Sequence, residues 1–381
     1  MIRSLLPPLA VFTLSLVCVC ADEFLHFEGA EGLPGSGKHI VFISGDEEYR
    51  TEESMPMLAK ILNRRFGYET SVLFAINPDG GFIDSHYQKN IPGMDQIATA
   101  DLVITGTRFR DLPEEQLQPL ADHLNKGKSI IGIRTATHAF RGKSTTGGIQ
   151  WSRFGPDILG EGWVSHYGKH KVQGARSIRY EKNWRHQVLR GVETIFAESD
   201  VYEVKTENVN DETATILLDA VVTHSLDPSS PTVPGLVPQP VAWVKKYKTP
   251  EGQREGRVFC TTFGSSCDFD DENLRRLVIN AAFFLTNVTV PEKTDVSYID
   301  PFQPSAFHNF KSSDYYRELG LKPADYDYGS SPETGPSLTD LVASSLEAAG
   351  PPPSTNAAEG ILGPEIKSTV TSVETQQVNG E

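Results

Sequence analysis

Short apolar runs recur along the first part of the chain. The run HIVFISG at 39–45 is apolar at successive positions and ends in glycine, a pattern typical of a strand that is buried on both faces. Similar runs occupy 68–76, 101–107 and 129–134. We therefore predict four strands in this part of the chain, each buried within a sheet.

Between these runs, apolar residues recur at helical spacing. The first such set predicts a helix that Thr51 caps and Gly67 ends. A second helix is predicted from Pro113 to Gly127, and a short one within 91–98. This alternation of strands and helices predicts an α/β fold: a flavodoxin-like, doubly wound and mostly parallel sheet with helices on both faces.

The second half of the sequence is richer in strand patterns. Its predicted strands lie at 175–180, 201–205, 214–222, 240–247 and 257–264. A helix should follow from Leu274 to Leu285, beginning at Asp270 or Asp271. We expect these strands to form a β-rich, antiparallel extension of the same sheet.

The two ends of the sequence differ from this middle part. Residues 1–21 have the pattern of a signal peptide, with an apolar stretch and small residues before a cleavage site that would leave Asp22 as the new N-terminus. We therefore expect an exported protein, periplasmic or extracellular, with no membrane attachment after cleavage. The stretch 22–38 would be a leader into the domain.

One domain is predicted over 39–290. The stretch 291–328, which is rich in aromatic residues and proline, should wrap against that domain. The stretch 329–381 is composed mainly of small and polar residues and should be disordered, because it offers little apolar surface to offset the loss of chain entropy.

Charge and cysteine content narrow the function classes. The formal net charge of −15 argues against binding to nucleic acid, whose phosphates an acidic surface repels. Cys260 and Cys267 remain after signal cleavage, and the sequence is equally compatible with one disulfide and with two buried thiols.

Seven segments occur in the order seen in ThuA-like proteins, the trehalose-utilisation-type relatives of class I glutamine amidotransferases. They are HIVFISGDEEYR, DLVITGT, IIGIRTATHAF, WSRFGPDILGEGWVSHYGKH, HQVLRGV, PVAWVKKY and RVFCTTFGSSCDF. The resemblance covers about 39–290. It implies an amidotransferase-like fold and a role in the use of disaccharides.

The sequence departs from the amidotransferase pattern at the turn after the fourth strand. Amidotransferases carry a nucleophilic cysteine there, on a sharp strand–turn–helix elbow. In this chain the corresponding residue is Arg134, and a guanidinium that stays protonated cannot act as a nucleophile. The resemblance therefore does not extend to glutamine hydrolysis.

Polar residues follow several of the predicted parallel strands, and we expect them to converge on one cleft. The proposed catalytic residues are Glu48 or His138 as the proton-transferring group and Arg134 as the holder of developing negative charge. A cleft that desolvates Glu48 would raise its pKa toward neutrality. The proposed substrate-binding residues are Asp46, Glu47, Arg50, Thr135, Trp163, His166, Tyr167 and Thr262.

Each of these residues also has a purely structural explanation. Asp46, Glu47 and Glu48 are compatible with solvated loop charges, and Arg134 with an internal ion pair. His166 and His170 have the i, i+4 spacing that suits a metal site, although Gly168 between them weakens a helix there. No cofactor is firmly implied, and a divalent metal is compatible with this spacing.

We therefore keep three functional hypotheses. The first is an exported enzyme that acts on a small carbohydrate or keto-sugar derivative by general acid–base chemistry, as a hydrolase or an isomerase. The second is a non-catalytic module that binds a sugar or another small ligand. The third is a metal-dependent hydrolase. The sequence sets neither the substrate nor the oligomeric state.

Overall fold

A mixed sheet of ten strands organises the part of the chain that the structure describes, residues 23–209, 211–250, 252–307 and 311–341 of a computed structural model. In chain order the strands, β1 to β10, are Leu25–Phe27, His39–Gly45, Glu69–Phe74, Leu102–Thr107, Ser129–Ile133, Ala175–Arg179, Phe196–Ala197, Ala214–Val222, Gln239–Lys248 and Glu255–Thr261. Their order across the sheet is β1-β3-β2-β4-β5-β10-β9-β8-β6-β7.

The central strands of this sheet are parallel. β2 pairs in parallel with β3 and β4, β4 with β5, and β5 with β10. β1 and the run β9-β8-β6-β7 are antiparallel to their neighbours. The predicted fold class, a mostly parallel doubly wound sheet with a β-rich extension, is confirmed.

Two hydrophobic cores lie on the two faces of the sheet. Alternate residues of β2 divide between them: Ile40 and Phe42 belong to one core, and Val41 and Ile43 to the other. The helices Thr51–Phe66 (α1) and Glu272–Leu285 (α4) cover the first face, and Glu114–Asn125 (α2) covers the second. The remaining α-helices of the described residues, Thr206–Val209 (α3) and Ser313–Leu319 (α5), are short.

The two ends of α1 differ from each other in how well the sequence predicts them. Gly67 ends the helix as predicted, with a φ of 76° and an N–H that donates to the carbonyl of Asn63. The predicted cap at Thr51 is wrong. Thr51 is the first helical residue, and its hydroxyl donates 2.9 Å to the carbonyl of Gly106 on β4. The capping position belongs to Arg50, in the left-handed region at a φ of 61°.

The predicted α4 begins as expected, because the Asp271 carboxylate accepts from the N–H of Asn273. The predicted short helix within 91–98 is a 3₁₀ segment, Met94–Ala98. The predicted strand at 201–205 is reduced to Val201–Tyr202, which pairs with His166–Tyr167 in a separate two-stranded ribbon.

Segments outside the predicted core are also placed. The predicted leader 22–38 contains β1, which extends the sheet at its edge. The stretch 329–341, assigned to a disordered tail, has defined contacts instead: Thr334 is buried and accepts from the Arg50 guanidinium at 2.6 Å. The predicted signal peptide at 1–21 and the rest of the tail lie outside the described residues, and the domain boundaries stay predictions.

Cys260 and Cys267 are both buried free thiols, which decides between the two alternatives left open by the sequence. Within the ranges that the structure describes, no helix combines the length and the apolar character that a bilayer crossing requires.

Candidate functional site

Loops at the carboxyl ends of parallel strands bring the candidate residues together. The stretch 46–50 follows β2, Arg108 follows β4, Arg134 follows β5 and Thr262 follows β10. Because neighbouring parallel strands end at the same edge, these residues lie within reach of one another. The His166–Tyr167 ribbon lies beside them.

Arg134 occupies a strained turn but does not face a ligand. Its φ of 50° is left-handed, and it directly follows β5 as the first residue of the 3₁₀ segment Arg134–His138, a position like that of a nucleophile elbow. Its side chain, however, has no solvent exposure. One guanidinium nitrogen, Nη1, donates to the carbonyls of Asp200 and Thr262, at 2.5 and 2.6 Å.

The surroundings of Arg134 explain why it stays inside the protein. Its Nη2 lies 2.6 Å from a carboxylate oxygen of Asp200, and the guanidinium lies between the rings of Tyr49 and Tyr202, 4.4 and 4.0 Å from their centres. The predicted role of Arg134 in holding substrate charge is therefore corrected. Arg134 positions Asp200, and its positive charge is paired with the carboxylate of that residue.

Asp200 connects this buried arginine to two histidines. The carboxylate oxygen that does not meet Arg134 lies 2.6 Å from Nδ1 of His166, and the other oxygen lies 3.2 Å from Nδ1 of His170. Burial alone would favour the neutral acid. The hydrogen bond from His166, the close contact with His170 and the charge of Arg134 outweigh burial and hold the pKa of Asp200 well below its usual range.

The two imidazoles are stacked, with ring centres 3.9 Å apart. The His166 side chain is 30% exposed, whereas Asp200 is 1% exposed. Since Nδ1 of His166 faces Asp200, its Nε2 is the nitrogen left to meet a ligand, and no hydrogen bond to that atom is found among the described residues. A buried carboxylate that fixes an exposed imidazole is the arrangement of a general base.

Glu48 joins the cluster through His170. Its carboxylate lies 3.2 Å from Nε2 of His170 and 3.3 Å from Nε of Arg108. Burial opposes ionisation of Glu48, but the hydrogen bond from His170 and the charge of Arg108 lower its pKa. The prediction that its pKa would rise toward neutrality is therefore wrong. Its contacts with His170 and Arg108 therefore favour the ionised form of Glu48.

His170 lies between two carboxylates, those of Glu48 and Asp200. Burial would lower the pKa of His170, but its close contacts with the two carboxylates, which accept from the imidazole, overcome this effect and raise it. The contacts of His170 thus favour its charged form, and both of its ring nitrogens face carboxylates, whereas Nε2 of His166 faces none in the described part of the chain.

His138 and Trp163 form the wall beside His166. The Trp163 ring centre lies 5.7 Å from that of His138 and 5.8 Å from that of His166, and Trp163 is 43% exposed. Burial, together with the charges of Arg108 and Arg134, lowers the pKa of His138 well below its usual range. His138 is thus a neutral group in the wall of the site.

Three further predicted substrate-binding residues are internal. Asp46 is fully buried, and its carboxylate accepts from the Thr135 hydroxyl at 2.5 Å and from the N–H groups of Glu48 and Tyr49. Burial raises the pKa of Asp46 to about 6. Glu47 pairs with Arg108 and Arg110. The side chains of Asp46, Glu47 and Thr135 are therefore paired inside the protein, where they hold the loop.

The remaining predicted residues lie outside the cluster or contribute only backbone atoms. Arg50 is fully buried and donates to Thr334, away from His166. The Tyr167 hydroxyl accepts from the N–H of Val237, and Tyr167 follows His166 along a strand, so that the two side chains point to opposite sides. Thr262 contributes its carbonyl to Arg134.

The same cluster contains the donor atoms of a candidate metal site. The ligand atoms of His166, His170 and Asp200 all lie within 4.8 Å of one another, and imidazole and carboxylate suit zinc. The charges present do not call for a cation, because Asp200 already has Arg134 and Glu48 already has Arg108 as a partner. These residues therefore have the kinds of ligand atom that a metal requires, but their carboxylates are already paired with arginines and do not need a metal ion to neutralise them.

The residues that the sequence did not single out are Asp200, Tyr49 and Tyr202. Asp200 directly precedes a predicted strand, and its distance of 34 residues from His166 along the chain gives no motif. Only the pairing of His166 with Tyr202 in the ribbon brings the two together. A sequence signal for this ribbon pairing is not evident.

Comparison with known proteins identifies the family. The family model described as trehalose utilisation, ThuA, matches residues 79–285, more than half of the chain. The chain belongs to the ThuA family. No curated protein matches this ThuA-family sequence.

Solved structures similar to this ThuA-family chain include two ThuA-like proteins. One, from Bacteroides uniformis, is 13% identical with a TM-score of 0.44, and the match covers 68% of this chain and 94% of that one. The other, from Parabacteroides merdae, is 16% identical with a TM-score of 0.42, and the match covers 67% and 92%. The glutaminase domain of Trypanosoma brucei CTPS is 11% identical with a TM-score of 0.34, covering 68% and 98%.

Proposed function

We propose that this protein is an exported enzyme that acts on a small carbohydrate or keto-sugar derivative by general acid–base chemistry, with His166 as the group that accepts and returns the proton. The family description, trehalose utilisation, supports the substrate class. The pattern of residues 1–21 supports export. N-terminal sequencing of secreted protein tests export and should find Asp22 first.

The observation that carries the proposal is the 2.6 Å contact between Nδ1 of the partly exposed His166 and the buried Asp200. An ionised carboxylate at Nδ1 fixes one tautomer, directs the lone pair of Nε2 outward, and stabilises the imidazolium that forms when Nε2 takes a proton. In a sugar or keto-sugar, that proton comes from a hydroxyl, from water or from a carbon beside a carbonyl.

The groups behind this pair keep it in its reactive state. Arg134 keeps Asp200 ionised and in place. Despite burial, the contacts with Asp200 and Glu48 raise the pKa of His170, and the His170 ring lies against that of His166, with ring centres 3.9 Å apart. This stacking helps to hold the His166 ring in place beside Asp200.

The exposed ring of Trp163 supplies an apolar face of the kind that stacks against a sugar ring. It lies edge-on to His166, with an angle of 76° between the ring planes. A sugar on this face would place its hydroxyls near Nε2 of His166, with the neutral His138 as a second hydrogen-bonding group.

The test is turnover of a panel of disaccharides and their 3-keto forms by purified protein. His166→Gln should lower kcat by about 10²–10⁴-fold while binding is kept, and His86→Gln, which changes an exposed histidine elsewhere, should have no effect. Binding without turnover in the unmodified protein would favour a non-catalytic sugar-binding module. The proposal would be overturned if the protein neither turned over any member of the panel nor bound one in calorimetry.

A metal-dependent hydrolase is a second candidate, favoured by the cluster of ligand atoms in His166, His170 and Asp200. Elemental analysis of protein purified without a histidine tag separates the two. About one zinc or manganese per chain, lost in His170→Ala together with activity, would support the second candidate. Full activity in chelated, metal-free protein would exclude it.

A further inference from the structure

A second cluster of histidine and carboxylate lies at the opposite edge of the sheet, where the parallel strands begin. His39 is the first residue of β2 and pairs with Glu69, the first residue of β3. His26 on β1 pairs with Ser71, two residues after Glu69. Residues two apart on a strand face the same side, as do their partners on neighbouring strands. The register therefore places His26, His39 and Glu69 on one face.

The distances within this cluster suit a metal ion. Oε1 of Glu69 lies 3.8 Å from Nε2 of His39 and 4.0 Å from Nε2 of His26. The three ligand atoms all lie within 4.8 Å of one another. Neighbouring ligands of a tetrahedral zinc, with bonds of about 2.0–2.2 Å, are roughly 3.3 Å apart. Side-chain rotations that bring the three ligand atoms about 1 Å closer to one another would produce that geometry.

The other nitrogen of each imidazole is already held in the way that metal-binding histidines require. Nδ1 of His26 lies 3.0 Å from the Ser71 hydroxyl, and Nδ1 of His39 lies 2.9 Å from the Thr99 hydroxyl. Such contacts fix the ring orientation and leave Nε2 for the metal. Nε2 of His39 also contacts the Ser71 hydroxyl at 3.0 Å, and a bound metal would replace this contact.

We propose that His26, His39 and Glu69 form a binding site for a divalent transition metal of the zinc class. The side chains of His26 and Glu69 are 29% and 39% exposed, so an ion has a route from solvent. Glu28, whose carboxylate lies 3.4 Å from Nε2 of His26, is placed to be a fourth ligand, and water is the alternative.

The charge state at this edge also suits a cation. The carboxylates of Glu69 and Glu28 supply negative charge. In contrast to Asp200 at the other edge, neither carboxylate has an arginine partner among the ion pairs of the described residues.

The metal would connect β1, the antiparallel edge strand, to the parallel strands of the sheet. β1 has three residues and pairs only with β3, whereas His39 belongs to the next strand, β2. A bond from His26 through the ion to His39 therefore spans β3. It would hold the edge strand in place directly after the predicted signal-cleavage site, independently of the proposed chemistry at His166.

Zinc titration of purified, untagged and metal-free protein by calorimetry tests the site. We expect one zinc per chain at this edge and a rise in Tm of about 5 °C at saturating metal. His26→Asn and Glu69→Gln should each weaken this binding at least tenfold, because even the loss of a supporting contact commonly has that effect.

Two matched variants locate the ion. His86→Asn changes an exposed histidine and should leave binding unchanged, and His166→Asn removes any ion held at the other edge while leaving this one in place. Binding that His26→Asn and Glu69→Gln leave intact, or no zinc bound at about 100 μM metal, would overturn the proposal.

Discussion

Arg134 and Arg50 have similar backbone conformations and surroundings, but the networks that they join lead to different parts of the protein. Both have a left-handed backbone, both are fully buried, and each lies beside two tyrosine rings. The carboxylate beside Arg134 is Asp200, which reaches the partly exposed His166. The carboxylate beside Arg50 is Glu52, whose hydrogen-bond partners are buried side chains.

The comparison shows what gives a buried arginine a functional consequence. A guanidinium in the interior must be paired, and either arrangement satisfies that requirement. Near Arg50 the network ends at Tyr316, in the predicted wrap, and at Thr334, and it holds these two residues against the start of α1. Near Arg134 the network continues to a nitrogen that a ligand can reach. Burial and pairing alone do not distinguish the two.

The largest effect on kcat should come from breaking the contact between Asp200, in its buried ion pair with Arg134, and the partly exposed His166. Asp200→Asn keeps the shape but removes the charge that fixes and stabilises His166. We expect kcat on the substrate identified by the panel to fall by about 10³–10⁴-fold. The control is Asp211→Asn, a largely exposed aspartate. Unchanged kcat in Asp200→Asn would separate Asp200 from the chemistry.

Removal of each arginine tests the comparison directly. Arg134→Met and Arg50→Met each remove the arginine partner of a buried carboxylate, and we expect a loss of about 3–5 kcal/mol in the free energy of unfolding for both. Chemical denaturation measures this loss. Only Arg134→Met should also lower kcat of the folded protein, and an equal fall in kcat for Arg50→Met would contradict the distinction.

The pH dependence of stability should separate the two networks. Burial raises the pKa of Glu52 to about 7, despite the nearby Arg50. The unfolded chain therefore loses the Glu52 proton first, from about pH 4.3 upward, and the stability contributed by this group falls until about pH 7 and is constant above it. Glu52→Gln should flatten the stability curve between these values.

Asp200 and Glu48 should change the free energy of unfolding with pH in the opposite direction. Both carboxyl groups have lowered pKa values in the folded protein, so their stabilisation is complete above about pH 4–5 and is lost as pH falls through the folded pKa values. Acid unfolding of Asp200→Asn should therefore be less steep than that of the unmodified protein. An equally steep acid transition in this variant would contradict the assignment.

The smallest effect should come from the exposed wall of the site. Trp163→Ala removes a stacking face worth about 1 kcal/mol, so we expect KM to rise about fivefold with kcat nearly unchanged. The free energy of unfolding should change by less than about 0.5 kcal/mol, because the ring is 43% exposed. Steady-state kinetics and denaturation together measure both quantities. A large loss of stability would make Trp163 a packing residue.

Much of the fold could be predicted from the sequence, because the core strands and helices are locally encoded. The run 39–45 is apolar throughout since both faces of β2 are covered, and Gly67 ends α1 since it needs a positive φ. Thr51 shows the limit of this approach. Its residue type suits a cap, but a tertiary contact with Gly106 places it inside the helix.

The candidate site was less predictable, because its geometry depends on side-chain direction and on distant pairing. The turn after β5 could be located from the sequence, but not whether Arg134 points outward or into the protein. His166 meets Asp200 only because the ribbon pairs His166 with Tyr202. A two-residue ribbon leaves no periodic pattern in the sequence, so Asp200 gave no signal.

The tautomer of His166 is the most direct test of the central claim, and nitrogen-15 NMR of the imidazole measures it without any substrate. At pH 8 we expect a proton on Nδ1, shared with Asp200, and a free lone pair on Nε2, with the pattern changed in Asp200→Asn and unchanged in Asp211→Asn. A proton found on Nε2 at this pH, with Nδ1 bare, would contradict the account.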